Sequence, residues 1–270
     1  MEENVHFNKI FVDKKNNFFE IFNPDNGTLI RSNVCGTDKN PLKRSFPELI
    51  DIGIMGNCKA GRTGICKMAG IDCYQNGLNV NNQNMSLRDY EWIVDQCGGK
   101  VFQVALGGAG DPNKHENFDE ILELTRRNGI VPNLTTSGTD ITDNELYLIK
   151  KYCGAVAVSF YSRLIGERET NSKTIEVISK CVKEDCVTNI HYVISTETID
   201  EAIYRLENEI WPKGINAIIF LLYKPVGLGR KQKVITVGDK LFKFLNLAIN
   251  KRHDYRVGFD TCFSTALFRM

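Results

Sequence analysis

The chain lacks any apolar run approaching the eighteen or so residues that a membrane span needs, so a transmembrane helix is not expected. Its opening stretch, MEENVHFNKI, is acidic and polar and lacks the basic and apolar regions of a secretory signal. A cytoplasmic protein is the simple expectation. An excess of one sign of charge is also missing: 34 Lys and Arg stand against 33 Asp and Glu, for a net charge of +1, and the two signs are interleaved. A phosphate backbone finds no basic stripe to follow, which makes nucleic acid an unexpected partner. No internal repeat or low-complexity tract is evident, and NGLNVNNQN at 76–84 reads as a polar loop.

What is present is ordinary core material with many thiols. Hydrophobic residues make up 42% and charged residues 25% of 270 positions, the balance of a globular protein of one or two domains. Nine cysteines, at 35, 58, 66, 73, 97, 153, 181, 186 and 262, are many for a compartment that keeps thiols reduced. Their odd count argues against a paired disulfide framework, so some of them are expected to bind metal.

Up to Val34, short apolar runs at Phe7–Val12, Phe18–Phe22 and Leu29–Val34 are separated by turn signals and predict a small antiparallel meander. From Leu49 the pattern changes to β-branched runs separated by amphipathic stretches, the signature of βα units on a mostly parallel sheet. Strands are predicted at Leu49–Met55, Val101–Leu106, Val131–Thr135, Ala155–Phe160, Thr188–Ile194, Ala217–Tyr223 and Tyr255–Phe259. Ser86 with Asp89 and Thr142 with Glu145 fit capping boxes at helix starts. The expected fold class is α/β, a partial (βα)6-type TIM barrel preceded by an antiparallel β meander, with its working face at the carboxyl ends of the strands. The expected division is a meander over 1–48, a barrel over 49–263 and a tail over 264–270.

The richest segment is IGIMGNCKAGRTGICKMAGIDCYQNG, residues 52–77, which leaves the first barrel strand. Glycines let its three thiols, Cys58, Cys66 and Cys73, converge on one centre. Three cysteines without a nearby fourth leave one metal position open, whereas closed structural zinc sites use four ligands. Lys59, Arg62 and Lys67 are expected to lower the thiol pKa values. The alternatives at this point are a zinc site completed by Cys97 or His115, or unligated cysteines.

With ALGGAGDPNKH at 105–115, this segment resembles the radical S-adenosylmethionine (SAM) superfamily, whose cluster loop follows the first strand of a partial βα barrel. Cys-Tyr-Gln at Cys73–Gln75 is a familiar loop ending there, although the family's usual C-x3-C-x2-C spacing is here C-x7-C-x6-C. The resemblance implies a [4Fe-4S] cluster on Cys58, Cys66 and Cys73, with SAM on its open iron and Tyr74 beside it. The glycine turn stands where the family has Gly-Gly-x-Glu-Pro. Gly107 and Gly108 are implied to let the SAM amino group approach backbone, and Asp111, one residue later than the family's glutamate, to bind that ammonium. Ser137, Ser159 and Arg163 are implied contacts for ribose and methionine carboxylate, and KPVGLGR at 224–230 resembles a turn near the adenosine. GFDTCFSTAL, which carries Cys262, resembles the start of the C-terminal extension of SPASM-type relatives; the alternatives at this point are a shortened protein or fragment, or a Cys262 that is merely structural.

The activity so implied is reductive cleavage of SAM to a 5′-deoxyadenosyl radical that abstracts hydrogen from a peptide, protein or small-molecule substrate. A reductase electron donor and anaerobic conditions go with it. Competing readings are a non-catalytic zinc or iron–sulfur scaffold, and a pseudo-enzyme that binds SAM without turnover. His191, in TNIHYVIS, is expected to be a hydrogen-bonded core residue. Cys35, Cys97, Cys153, Cys181 and Cys186 are expected to pack as small hydrophobes.

Overall fold

The computed structural model describes residues 8–34, 44–64, 66, 72–165 and 168–268. The first three apolar runs form an antiparallel sheet of β1 (Lys9–Asp13), β2 (Phe18–Phe22) and β3 (Leu29–Asn33). Phe7, the expected start of the first strand, lies outside the described residues. Period-2 alternation gives this sheet two unlike faces. Phe18, Glu20 and Phe22 are buried, and the Phe22 ring stacks on Phe102 at 5.0 Å. Buried Glu20 pairs with Arg44 at 2.7 Å and with Arg31 at 2.9 Å, so the charge it brings inside is matched. The opposite face aligns Ile10, Ile21 and Ile30 across the three strands, with Ile10 69% and Ile30 54% exposed.

Seven parallel strands follow: β4 (Leu49–Met55), β5 (Gln103–Gly108), β6 (Val131–Thr136), β7 (Ala155–Ser159), β10 (Thr188–Ile194), β11 (Ala217–Leu222) and β12 (Arg256–Phe259). Their order is β12-β11-β10-β7-β6-β5-β4, so every strand is added beside its predecessor and β4 and β12 are the two edges. A two-stranded ribbon, β8 (Leu164–Ile165) and β9 (Arg168–Glu169), is inserted after β7. The βα reading of the sequence is thus borne out as a partial-barrel architecture with an antiparallel meander.

Helices cross between the strands: α2 (Leu87–Cys97), α3 (Phe118–Arg127), α4 (Asp143–Tyr152), α5 (Ser172–Lys183), α6 (Ile199–Asn208) and α7 (Asp239–Asn250), after a short α1 (Lys59–Arg62) in the cysteine segment. Each buries one stripe, for example Phe118, Ile121, Leu122 and Thr125 on α3. On β10, Ile190, Tyr192 and Ile194 join that core, which leaves Asn189, His191 and Val193 on the other face. The Thr142–Glu145 capping box is complete. At Ser86 only half forms, because Asp89 takes the serine hydroxyl at 2.7 Å instead of reaching back to its backbone. Among the described residues no helix is long and apolar enough to cross a membrane.

Candidate functional site

The carboxyl end of β4 runs straight into the cysteine segment. Gly56 is obligatory there, since a Cβ at this position would lie 2.0 Å from the Gln83 carbonyl oxygen. Cys58 caps α1, its sulfur accepting the Gly61 N–H at 3.1 Å. At the far end the Cys73 sulfur accepts the Gly77 N–H at 3.4 Å. Gly77 sits between the two cysteines: a Cβ there would lie 3.2 Å from Cys58 Cβ and 3.4 Å from Cys73 Sγ. Cys66 shares the neighbourhood. Burial pushes its thiol from the ordinary 9.0 up to about 11, and Cys58, Cys73 and Asp111 push in the same direction. Cys58 is also raised, first by burial and then by Asp111 and Cys73.

This direction corrects the expectation that nearby cations lower these pKa values. Arg62 gives its guanidinium to Asn81 and Asn57, and Lys67 lies outside the described residues. Cys58 and Cys66, half-buried and near a carboxylate, resist becoming anionic unless a metal centre supplies the positive charge.

The glycine turn after β5 interlocks with this segment. Gly108 has φ +124°, and a Cβ would lie 2.5 Å from the Met55 carbonyl oxygen, so only glycine lets β5 approach β4 at its register shift. Gly110 packs on Asn57 and on Cys58 Cα, while Ala109 N–H donates to Met55 O at 2.8 Å. Gly107, by contrast, has nothing within 4 Å of where a Cβ would be, which leaves open space over its backbone. Asp111 is half-buried, and its two carboxylate oxygens accept the Ser137 backbone N–H at 2.8 Å and the Ser137 hydroxyl at 2.6 Å. Burial raises its pKa against those stabilising bonds.

Ser159 ends β7 beside Tyr161, whose hydroxyl is pushed well above its ordinary range, first by burial and then in part by Cys66, Asp111 and Cys73. Tyr161 therefore belongs to the site although the sequence reading passed over it; its place two residues after a strand end was the available signal. The structure brings together Cys58, Cys66, Cys73, Gly107, Gly108, Asp111, Ser137 and Ser159. Arg163 instead pairs with Glu201 at 2.8 Å and donates to Glu197 O at 2.6 Å. Tyr74 is 57% exposed, with Lys224 near its ring.

His191 differs from its expectation. No described residue hydrogen-bonds its ring, and burial lowers its pKa from 6.5 to about 4. A depressed base favours the folded chain only while neutral. That contribution is complete above pH 6.5 and is lost as pH falls through 4. The His191 imidazole is therefore expected to titrate near pH 4 by NMR, and a midpoint near 6.5 would contradict its desolvation on that face of β10.

Neither proposed fourth zinc ligand is available. Cys97 is in the core at 5% exposure, and His115 donates Nε2–H to Met85 O at 3.0 Å while Nδ1 accepts Asn117 N–H at 3.0 Å. Among the described residues no three His, Cys, Asp or Glu side chains close around a single ion. Thiols about a multi-iron cluster stand further apart than those about one ion, because the cluster's own sulfides occupy the centre. A three-thiolate donor set with open room at Gly107 fits such a cluster and an exogenous ligand. Of the remaining cysteines, Cys97 and Cys181 are core, Cys153 and Cys186 pack against it, and Cys262 is exposed. Cys35 lies outside the described residues.

No family model and no curated protein matches the sequence. Solved structures do match the fold. Streptococcus suis SuiB bound to S-adenosylmethionine superposes with TM-score 0.57 at 16% identity, over 82% of this chain and 52% of that one, so this chain spans about half of that protein. SuiB bound to precursor peptide SuiA gives TM-score 0.67 at 13% identity, over 97% and 75% of the two chains. anSMEcpe with bound AdoMet gives 0.53 at 19% identity, over 83% and 65%. These neighbours are radical SAM enzymes, and the chain shares their partial-barrel fold.

Proposed function

We propose that the chain is a radical SAM enzyme whose working face is the mouth of the partial barrel. The observation that carries this reading is the interlock of a three-thiol segment with a glycine turn at the carboxyl ends of β4 and β5. Cys58, Cys66 and Cys73 would hold a [4Fe-4S] cluster, and the SAM amino and carboxylate groups its remaining iron. When bound, this pair supplies a one-electron cleavage of the sulfonium, near roughly −400 mV for thiolate clusters, and with it the 5′-deoxyadenosyl radical that takes hydrogen from substrate.

The chain's own residues bind, orient and exclude. The space over Gly107 receives the methionine end of SAM, and the Asp111 carboxylate, already held by Ser137, accepts N–H hydrogen bonds from its amino group. Tyr161 and Ser159 line the wall beside the thiols. His191, neutral at ordinary pH, offers a polar contact without adding charge. The substrate class we favour is a peptide or protein, since structures of both SuiB and anSMEcpe are solved with a peptide bound. The meander over 1–48 would then be a docking module beside the 49–263 barrel, its two outer strand edges unpaired among the described residues. A reductase would deliver the electron in an anaerobic cytoplasm.

Asp111→Asn tests the SAM assignment. It keeps an acceptor for Ser137 but removes the charge, and is expected to weaken SAM binding to the reconstituted protein by about tenfold to a hundredfold, as loss of a charged hydrogen bond does. Unchanged affinity by equilibrium dialysis would remove Asp111 from the site.

A further inference from the structure

Asp72, immediately before the third thiol, reaches to the other side of the barrel mouth. Its Oδ2 accepts the Tyr223 hydroxyl at 2.9 Å and pairs with Lys233 Nζ at 2.7 Å. Tyr223 directly follows β11, and its hydroxyl oxygen in turn accepts the Arg230 backbone N–H at 2.8 Å. Lys233 also pairs with Glu197 at 2.9 Å, and its carbonyl accepts the Thr196 N–H at 3.0 Å, which ties it to the segment after β10. The turn between Tyr223 and Lys233 meets the cysteine directly: Leu228 N–H donates to Cys73 O at 3.0 Å. Gly227 has φ +61°, and a Cβ there would lie 2.3 Å from the Tyr74 carbonyl oxygen and 2.8 Å from that of Cys73. No side chain but hydrogen fits at that approach.

The topology gives this cluster its meaning. The cysteine segment starts from β4, one edge of the sheet, and β11 is next to the opposite edge. Cys58 is seated against the β4–β5 end by Gly110 and the β4 backbone, whereas Cys73 is seated against the β11 end. The first and third thiols thus take their positions from opposite sides of the mouth. Asp72 is 12% and Lys233 14% exposed, so the pair that joins them is partly shielded from water and salt.

We propose that Asp72, Tyr223 and Lys233 form a latch that sets the position of Cys73 and closes the cysteine segment across the open barrel. They are positioning residues, acting on the centre through Cys73 and its neighbouring backbone. The inference deepens the proposed function by naming what aligns its third thiolate, and it rests on that reading for the cluster.

The test compares the native chain with Asp72→Asn, Lys233→Met and Tyr223→Phe. In the metal-free protein, iodoacetamide labelling is followed peptide by peptide, with Cys58 as internal control. The latch requires Cys73 labelling to accelerate several-fold in Asp72→Asn and Lys233→Met while Cys58 is unchanged, and requires Asp72→Glu to restore the native rate. After anaerobic reconstitution, iron loss to a chelator is expected to be about tenfold faster in those variants, with an altered EPR line shape of the reduced centre, the size of effect an outer partner of a metal ligand has. Equal Cys73 labelling in all variants overturns the latch, as does acceleration at Cys58 and Cys73 alike, which reports general loosening. If the native chain takes up no cluster, the functional reading fails, and the labelling of Cys73 still decides the latch.

Discussion

Arg205→Ala is expected to destabilise the chain by about 3–5 kcal/mol, the effect of breaking a buried ion pair and leaving one partner, Glu169, uncompensated. Arg205 on α6 is 0% exposed and sits over the Phe160 and Trp211 rings, at 5.0 and 5.3 Å. Its guanidinium makes a two-pronged bond to Glu169, at 2.7 and 2.8 Å, donates to Glu201 at 2.9 Å and reaches the Ile210 carbonyl at 3.0 Å. Alanine would leave Glu169 without its cation, Glu201 with Arg163 alone, and a void beside two aromatic rings. Against a total stability of about 5–15 kcal/mol this is a large share, readable as a lower urea midpoint. Arg205→Lys keeps the charge but loses the planar fork and should fall between the two. The consequence extends to the site, because Glu169 ties β9 to the Ser162 hydroxyl, next to Tyr161. A loss under about 1 kcal/mol, the range of an exposed pair, would show that the network is not buried in solution.

Cys58→Ala, Cys66→Ala and Cys73→Ala are each expected to lower deoxyadenosine formation by more than about 100-fold, beyond the 10–100-fold of losing an outer-sphere partner. Each removes one of three donors, and the described residues contain no substitute: Cys97 is in the core and both His115 nitrogens are engaged. Cys181→Ala is the contrasting control. Its thiol is fully buried under α5 and pushed up to about 12 by burial, so its loss should reduce stability by about 1 kcal/mol and leave iron content intact. Iron and sulfide analysis distinguishes the two patterns, and loss of cluster in Cys181→Ala alone would reverse the assignment.

Much of this architecture was legible in the sequence because it is written in local periodicity. The β10 alternation of TNIHYVIS and the Thr142–Glu145 box each fix an element within a few residues. The glycine turn was legible for a similar reason, since Gly108 occupies a backbone conformation that other residues strain to adopt. What escaped depends on partners distant in the chain. Arg205 pairs with Glu169, 36 positions away, and Tyr223 with Asp72, 151 positions away; neither has a local signature. Arg163 carried the right chemistry for a carboxylate, but the sequence could not reveal that Glu201 would take it. The thiol pKa directions were misjudged because lysines near in sequence were weighed above burial, which the sequence does not display.

The central claim is tested most directly by anaerobic reconstitution of the native chain with iron and sulfide, reduction in the presence of SAM, and measurement of 5′-deoxyadenosine. The account predicts about four irons per chain, after the [4Fe-4S] centre such thiolate sets hold, with deoxyadenosine formed in proportion to cluster and abolished by each of the three cysteine changes. Tight zinc binding in place of an iron cluster, with no deoxyadenosine, would contradict it.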